Sequence, residues 1–289
     1  KIKERGATPF LSDTNTLYRG ERTNSDDHLK LAYKHGFIPK VTGAEVIIPD
    51  DSDITNTQEV NINQRFIKQA HVLSVYIKAQ ALIGVAHFKG HMMTGFGGAL
   101  KNIGMGCATR QGKLEQHSDI APVIYLNNCV GCGACVRACL AKAINIKNKK
   151  SRINGAECTG CASCIAACRH NAIDVHWVSG KDTIQEKLIE YAKAILNSKK
   201  EKCVFINFCL KITKECDCLA KDDPRIVPDI GIFVSIDPVA IDKACLDIVN
   251  EKAGRDIFRE LHANVNGLRH LEYAESLGLG RLKYDLLPV

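Results

Sequence analysis

The chain has 289 residues, 45% hydrophobic and 25% charged, which suits one or two domains with a buried core. Its formal charge of +7 hints at a polyanion, but no Lys/Arg stripe interleaved with aromatics occurs, so nucleic acid is not an expected partner. The most apolar window, His71–Phe88, is broken by Lys78 and Gln80 and is too mixed to span a membrane. With no signal peptide visible, the expected location is cytoplasmic.

Residues Ala7–Ser12 read as a short strand entering Asp13-Thr14-Asn15-Thr16, a turn rich in capping side chains. Asp26–His35 follows as a helix with Leu29, Leu31 and Ala32 inward and Gly36 as its stop. Glu45–Ile48 and Glu59–Ile62 read as strands, His71–Lys78 as a helix and Ala81–Ala86 as a short buried strand. Later, Thr183 and Glu186 have capping-box spacing ahead of a helix that lines up Ile184, Leu188, Tyr191, Ile195 and Leu196. Cys203–Phe208 and Gly231–Ile236 are further strands. Asp237-Pro238 opens a helix to Asn250, with Asp237 as its cap, and Arg269–Leu277 closes the chain as a helix.

Between these elements lies a repeat. Cys129, Cys132, Cys135 and Cys139, then Cys158, Cys161, Cys164 and Cys168, each follow C-x2-C-x2-C-x3-C, 29 residues apart. Gly131, Ala143 and Ile144 recur at the same offset as Gly160, Ala172 and Ile173. Three thiolates on one tight loop suit a [4Fe-4S] cubane, and in this pattern the fourth cysteine serves the other cluster. The assignment is cluster I on Cys129, Cys132, Cys135 and Cys168, and cluster II on Cys158, Cys161, Cys164 and Cys139. Zinc prefers two separated pairs of ligands to a compact triple plus one. Leu140 and Arg169 stand where a proline usually follows the fourth cysteine; the adjacent Arg should ease reduction. Eight thiolates and two oxidised cores add about −8 and +4, so the holoprotein carries roughly +3. The unit resembles the bacterial two-cluster ferredoxin, with a short strand after each motif (Ile144–Ile146 and Ile173–Val175).

Strands alternating with helices predict an α/β fold with a mostly parallel sheet and flanking helices, interrupted by the ferredoxin-like unit as an insertion. The expected division is 1–121 and 178–289 as two parts of one α/β domain, with 122–177 inserted.

The second informative stretch is Phe88–His117. Preceded by His87, it holds His91, the glycines Gly95, Gly97 and Gly98, Lys101, Asn102, Cys107 and His117, after a buried strand. A glycine-rich turn opening a helix at a strand's carboxyl end suits an anion, although neither a Walker nor a dinucleotide fingerprint is complete. His91, Lys101 and His117 are the candidate catalytic groups. Gly95, Gly97, Gly98 and Asn102 are the candidate cofactor-binding residues. Cys216 and Cys218, two apart, would point one way in an extended segment and chelate a soft metal or act as a redox pair, with Cys107 as a further candidate. Cys203 and Cys245 read as core. A cluster protein belongs in a reducing compartment, so the six cysteines outside the repeat are not expected to form disulfides.

The run HFKGHMMTGFGGALKNIGMGCATRQGKLEQH, the DTNTLYRG turn, Cys216-Asp217-Cys218, VPDIGI and DPVAIDKA together resemble an uncharacterised iron–sulfur-centre family. It is known as a domain of unknown function carrying an inserted ferredoxin. The resemblance covers essentially the whole chain and implies about one more βα unit before Lys1 in other members. More distantly, His91, Lys101 and His117 stand at the spacing of a His, a Lys and a His in the nickel-pincer lactate racemases. That resemblance implies a shared cleft, a nickel-flanking pair of histidines and a lysine carrying a cofactor. Racemization needs no external electrons, so the clusters argue against a plain isomerase.

The expected function is iron–sulfur oxidoreduction: electrons pass from a donor or acceptor protein through two [4Fe-4S] clusters to an anionic small molecule at the His/Lys cleft. An additional metal, nickel or zinc, is a candidate cofactor. The alternatives are a non-catalytic electron carrier docking a partner and a metal-cofactor isomerase resembling lactate racemase.

Overall fold

The computed structural model describes residues 1–18, 20–118, 121–175, 181–218 and 222–288, with only the backbone for 181 and 182. Strand β1 (Phe10–Ser12) is followed by helix α1 (Ser25–Lys34), which starts where the Asn24 side chain accepts the Asp27 N–H. Helix α2 (Pro39–Thr42) has proline in its first turn and Gly43 at φ 69° after its last. It delivers β2 (Glu45–Ile47), which pairs in parallel with β1. Strands β3 (Thr57–Asn61) and β4 (Gln69–Leu73) form a two-stranded sheet. The helix expected over His71–Lys78 is therefore shorter, α3 (Ser74–Lys78). His71 is held extended because its carbonyl accepts both the N–H and the hydroxyl of Thr109, and Val72 bridges to Ala108.

Next come β5 (Leu82–His87), β6 (Lys89–His91), β7 (Gly95–Gly97), α4 (Ala99–Gly106) and α5 (Arg110–His117). The cysteine stretch supplies β8 (Val123–Ile124), α6 (Ala134–Ala138), β9 (Ile144–Lys147), β10 (Lys150–Ile153), α7 (Ser163–Ala167) and β11 (Ile173–Asp174). Then follow α8 (Lys181–Asn197), β12 (Cys203–Cys209), β13 (Gly231–Ser235), α9 (Pro238–Ala253), α10 (Ile257–Leu261) and α11 (Leu268–Ser276). Thr183 lies inside α8 rather than capping it, and Glu186 turns instead to Arg65 and Arg269. Asp237 does cap α9, accepting the N–H groups of Val239 and Ala240. The class is α/β, as expected.

The chain divides into two compact units. The first comprises Lys1–Glu59, His71–Val75 and Ala108–Ser179; the second comprises Val60–Ala70, Tyr76–Cys107 and Gly180–Val289. Residues 122–175 fall in the first, and the expected boundary at 177–178 lies outside the described residues.

In the first unit the sequence repeat becomes a structural one. Helices α6 and α7 are offset by 29 residues, as are their left-handed N-caps Gly133 (φ 76°) and Ala162 (φ 58°). In the β10–β9 pair Ile153 faces Ile144, and in the β11–β8 pair Ile173 faces Ile124, the same register one repeat apart. The core of this unit mixes aliphatic and thiol groups: Leu17, Leu114, Ile144, Ile165, Ile173 and Val175 pack with Cys129, Cys135, Cys164 and Cys168.

In the second unit β12 is central in a three-stranded sheet, parallel to β5 and antiparallel to β13. The sheet is thus mixed where a mostly parallel one was expected. Alternation along β12 buries Cys203, Phe205, Asn207 and Cys209 on one face. The opposite face carries Ile83, Val85, Ile232 and Val234, each about half exposed or more. Helix α8 buries Ile184, Leu188, Tyr191 and Ile195 of the expected stripe but leaves Leu196 partly exposed, and it also buries Gln185, Glu186, Lys187 and Glu190.

Candidate metal and redox sites

Cys139, Cys158, Cys161 and Cys164 line a single cavity with Ala141, Ile144 and Ile153. Cys139 comes from the first motif and the other three from the second. Burial, reinforced by the charges of Cys161, Cys158, Cys135 and Cys139, pushes the Cys164 thiol up to about 12. Four such thiols cannot all ionise side by side without a cation among them. Backbone N–H groups are aimed at the sulfurs at both ends of the pseudo-symmetry: Ala143 N–H donates to Cys139 Sγ at 3.3 Å and Ala172 N–H to Cys168 Sγ at 3.4 Å. Ser151 N–H donates to Cys129 Sγ at 3.3 Å. Burial alone would raise Cys129, but the N–H groups of Ser151 and Gly131 outweigh it and hold that thiol below its ordinary range. Cys132 is exposed beside a cavity lined by Arg137, Arg169 and His170.

The glycine-rich turn of the second unit has a different use from the one expected. Helix α4 does begin after Gly98, but its first N–H groups are already taken. Ala99 N–H and Leu100 N–H donate to Asp242 at 2.7 and 2.9 Å, and Asn207 Nδ2 donates to the same carboxylate at 2.7 Å. The cradle expected for an external anion is filled by this buried side chain from α9. A Cβ on Gly98 would run into the Asp242 carboxylate, and one on Gly97 would press on the Lys101 side chain. Asn102 donates from Nδ2 to the Val85 carbonyl at 3.0 Å, tying α4 to β5. Lys101 sits on α4 and His91 on β6, both in the second unit, whereas His117 ends α5 in the first.

What the second unit brings to His91 is the Cys216-Asp217-Cys218 segment. One ring nitrogen of His91 and the two cysteine sulfurs all lie within 4.8 Å of one another, a set of donors that can hold a soft metal ion. The two cysteines are joined as a disulfide. The expectation that cysteines outside the repeat stay unpaired fails here, because the chain turns at Asp217–Cys218 and brings the two cysteine Cα atoms to 5.2 Å. Asp217 between them is held by His87 (Nδ1 to Oδ2 3.2 Å) and by the buried Lys89 ammonium. Those contacts, the His87 hydrogen bond first, keep its carboxyl far below the usual carboxylate range. The segment is pinned: Gly90 N–H donates to Thr213 O at 2.9 Å and His262 Nε2 donates to Lys214 O at 3.0 Å. Lys89 and Asp217 were missed as functional candidates because their pairing spans 128 residues. Cys107 does not join this set. It closes α4 near Lys199, whose ammonium donates to the carbonyls of Ile77 and Ala79. Cys203 and Cys245 are buried in the core, as expected.

A polar cluster in the first unit also escaped the sequence, where Asp13–Thr16 reads only as a turn. The Lys113 ammonium on α5 donates to the Thr14 hydroxyl and to the Asn15 carbonyl. His28 Nε2 lies 3.5 Å from Asp13 and its Nδ1 3.4 Å from Asn15 Oδ1. Among the described residues no helix is long and apolar enough to cross a membrane.

No protein of curated function matches the sequence significantly. Among solved structures the lactate racemase apoprotein from Thermoanaerobacterium thermosaccharolyticum resembles it, with 14% identity and a TM-score of 0.41. The match covers 78% of this chain but only 38% of that one, so the chain spans well under half the length of the racemase. The sequence model of the domain of unknown function DUF362 matches residues 1–247, and the chain belongs to that family.

Proposed function

We propose that this protein is an iron–sulfur redox protein that holds two [4Fe-4S] clusters and exchanges electrons with a partner protein. The observation that carries this reading is the 29-residue structural repeat, in which Cys139 of one motif joins Cys158, Cys161 and Cys164 of the other around one cavity. The residues fit the group: thiols converge, apolar side chains exclude water, and backbone N–H groups point at sulfur, as in cluster ligation. Cys129, Cys132, Cys135 and Cys168 would hold cluster I, and Cys158, Cys161, Cys164 and Cys139 cluster II. When bound, such clusters supply one-electron transfer at low potential. The exposed Cys132 beside Arg137, Arg169 and His170 gives an acidic carrier protein a basic place to dock. His91 and Lys101 remain the groups for chemistry on an anionic small molecule, with the helix N-terminus excluded from that role by Asp242.

Protein purified without oxygen should contain about eight irons and eight acid-labile sulfides per chain. Cys164→Ser should halve both. Zinc in place of iron would sink the reading. If the reading holds, Lys101→Met separates a carrier, which keeps full electron transfer to an artificial acceptor and has no other activity to lose, from an enzyme that loses turnover.

A further inference from the structure

We infer that Cys216 and Cys218 form a redox-active dithiol–disulfide pair, served by His91, that exchanges two electrons and two protons with a dithiol partner. This goes beyond the cluster reading and stands on different residues in the other unit. The disulfide closes a loop of only three residues, which removes little chain entropy, so it is a poor staple. Both cysteines are partly exposed, within reach of another thiol. The segment carrying them is nevertheless fixed, through Gly90 to Thr213, His262 to Lys214, and Asp217 to His87 and Lys89.

His91 decides between a metal ligand and a redox partner. The backbone N–H groups of Met93 and Thr94 both point at its Nδ1, each at 3.2 Å. These two donors favour Nδ1 as an acceptor with the neutral ring's proton on Nε2, against the Thr94 hydroxyl, which lies 3.0 Å from Nδ1 and donates to the Phe96 carbonyl at 2.7 Å. Binding a metal through Nε2 would require moving that proton to Nδ1, against two donors. Donating a hydrogen bond from Nε2–H to a thiolate requires no such change. Cys216 is the better leaving group, because Cys218 N–H donates to its Sγ at 3.3 Å.

In the reductive direction a partner thiolate attacks Cys218 Sγ and the S–S bond breaks. The electron pair leaves on Cys216 as a thiolate, which accepts a hydrogen bond from His91 Nε2–H and then takes up, through solvent, the proton that the attacking partner thiol gave up. The partner's second thiol then attacks the mixed disulfide and releases Cys218, which also ends protonated. The partner leaves as a disulfide, having given up two electrons and two protons.

The test uses the iron-loaded protein, equilibrated without oxygen in mixtures of reduced and oxidised dithiothreitol, quenched in acid, alkylated and digested with trypsin. The peptide Glu215–Lys221, which holds both cysteines, should pass from unalkylated to doubly alkylated in one two-electron transition. The peptide carrying Cys203 and Cys209 should not change with the mixture. His91→Gln should slow reduction of the pair by about tenfold at unchanged iron content. A pair alkylated at every mixture, or locked as a disulfide in excess reductant, would overturn the proposal. So would thiols shielded by one equivalent of zinc or nickel that a chelator removes. Iron content is read in the same samples, so loss of the clusters is distinguished from failure of the dithiol.

Discussion

At the scale of single residues, Asp242 shows how a buried charge is set by its surroundings. Burial raises its carboxyl to about 6, although Leu100 N–H, Asn207 Nδ2 and Ala99 N–H all favour the ionised form. A carboxyl whose folded value lies above its unfolded value binds its proton more tightly when folded. Its contribution is therefore complete below about pH 4 and is lost as pH rises through 6. Urea denaturation should show wild type losing roughly 2 kcal/mol of its advantage over Asp242→Asn between pH 4.5 and 7.5. Asp242→Ala should be worse at every pH, by about 1–3 kcal/mol for each donor left buried without a partner. His270 has the opposite sign: complete burial holds its ring down to about 3, against Phe96 at 4.6 Å between centroids and with Nδ1 3.1 Å from Gln185 Oε1. Its contribution is present above pH 6.5 and lost as pH falls toward 3.

At the scale of elements, the two halves of the repeat are alike in backbone but not in tolerance. Gly131 and Gly160 share φ values of 69° and 70°, so alanine is strained at either. At Gly131 a Cβ would also collide with the Lys149 carbonyl, whereas at Gly160 nothing lies within 4 Å. Gly160→Ala should cost about 1 kcal/mol and keep about eight irons. Gly131→Ala should cost more and lower the iron content toward half, read by metal analysis. The sheet offers a parallel contrast. Phe205 points into the buried face of β12, so Phe205→Ala should cost about 3–5 kcal/mol. Val234 on the opposite face is 65% exposed, so Val234→Lys should change stability by about 0.5 kcal/mol or less. Comparable losses at both positions would mean that the strand register is wrong.

At the scale of the whole molecule, two compact units with cores of different chemistry should respond differently to metal loss. The first packs its aliphatic side chains around cysteine thiols; the second is built on Phe88, Phe96, Leu188, Ile195 and Phe205. Chelation of iron under oxidising conditions should lower the denaturation midpoint of the first unit and leave a second, unshifted transition. A single transition that moves as a whole would show that the units fold as one.

Much of this organisation was legible in the chain. The cysteine spacing is a covalent constraint on which sulfurs share a loop, so the repeat and the short strand after each motif follow from sequence, whereas the short helices α6 and α7 emerge only in the structure. The cap at Asp237 and the apolar stripe of α8 follow from local backbone chemistry in the same way. Local patterns could not reveal that the Gly98 turn is closed by Asp242, 143 residues away from Ala99, because no periodicity links a helix N-terminus to its distant acceptor. The same holds for the Lys89–Asp217 pair and for the docking of Cys216 and Cys218 beside His91. Sequence determined which chemistry each segment carries; only the tertiary structure decided which carboxylate fills the anion site and which histidine faces the dithiol. Those choices depend on long-range packing and burial, which set the partner and the protonation state of each group.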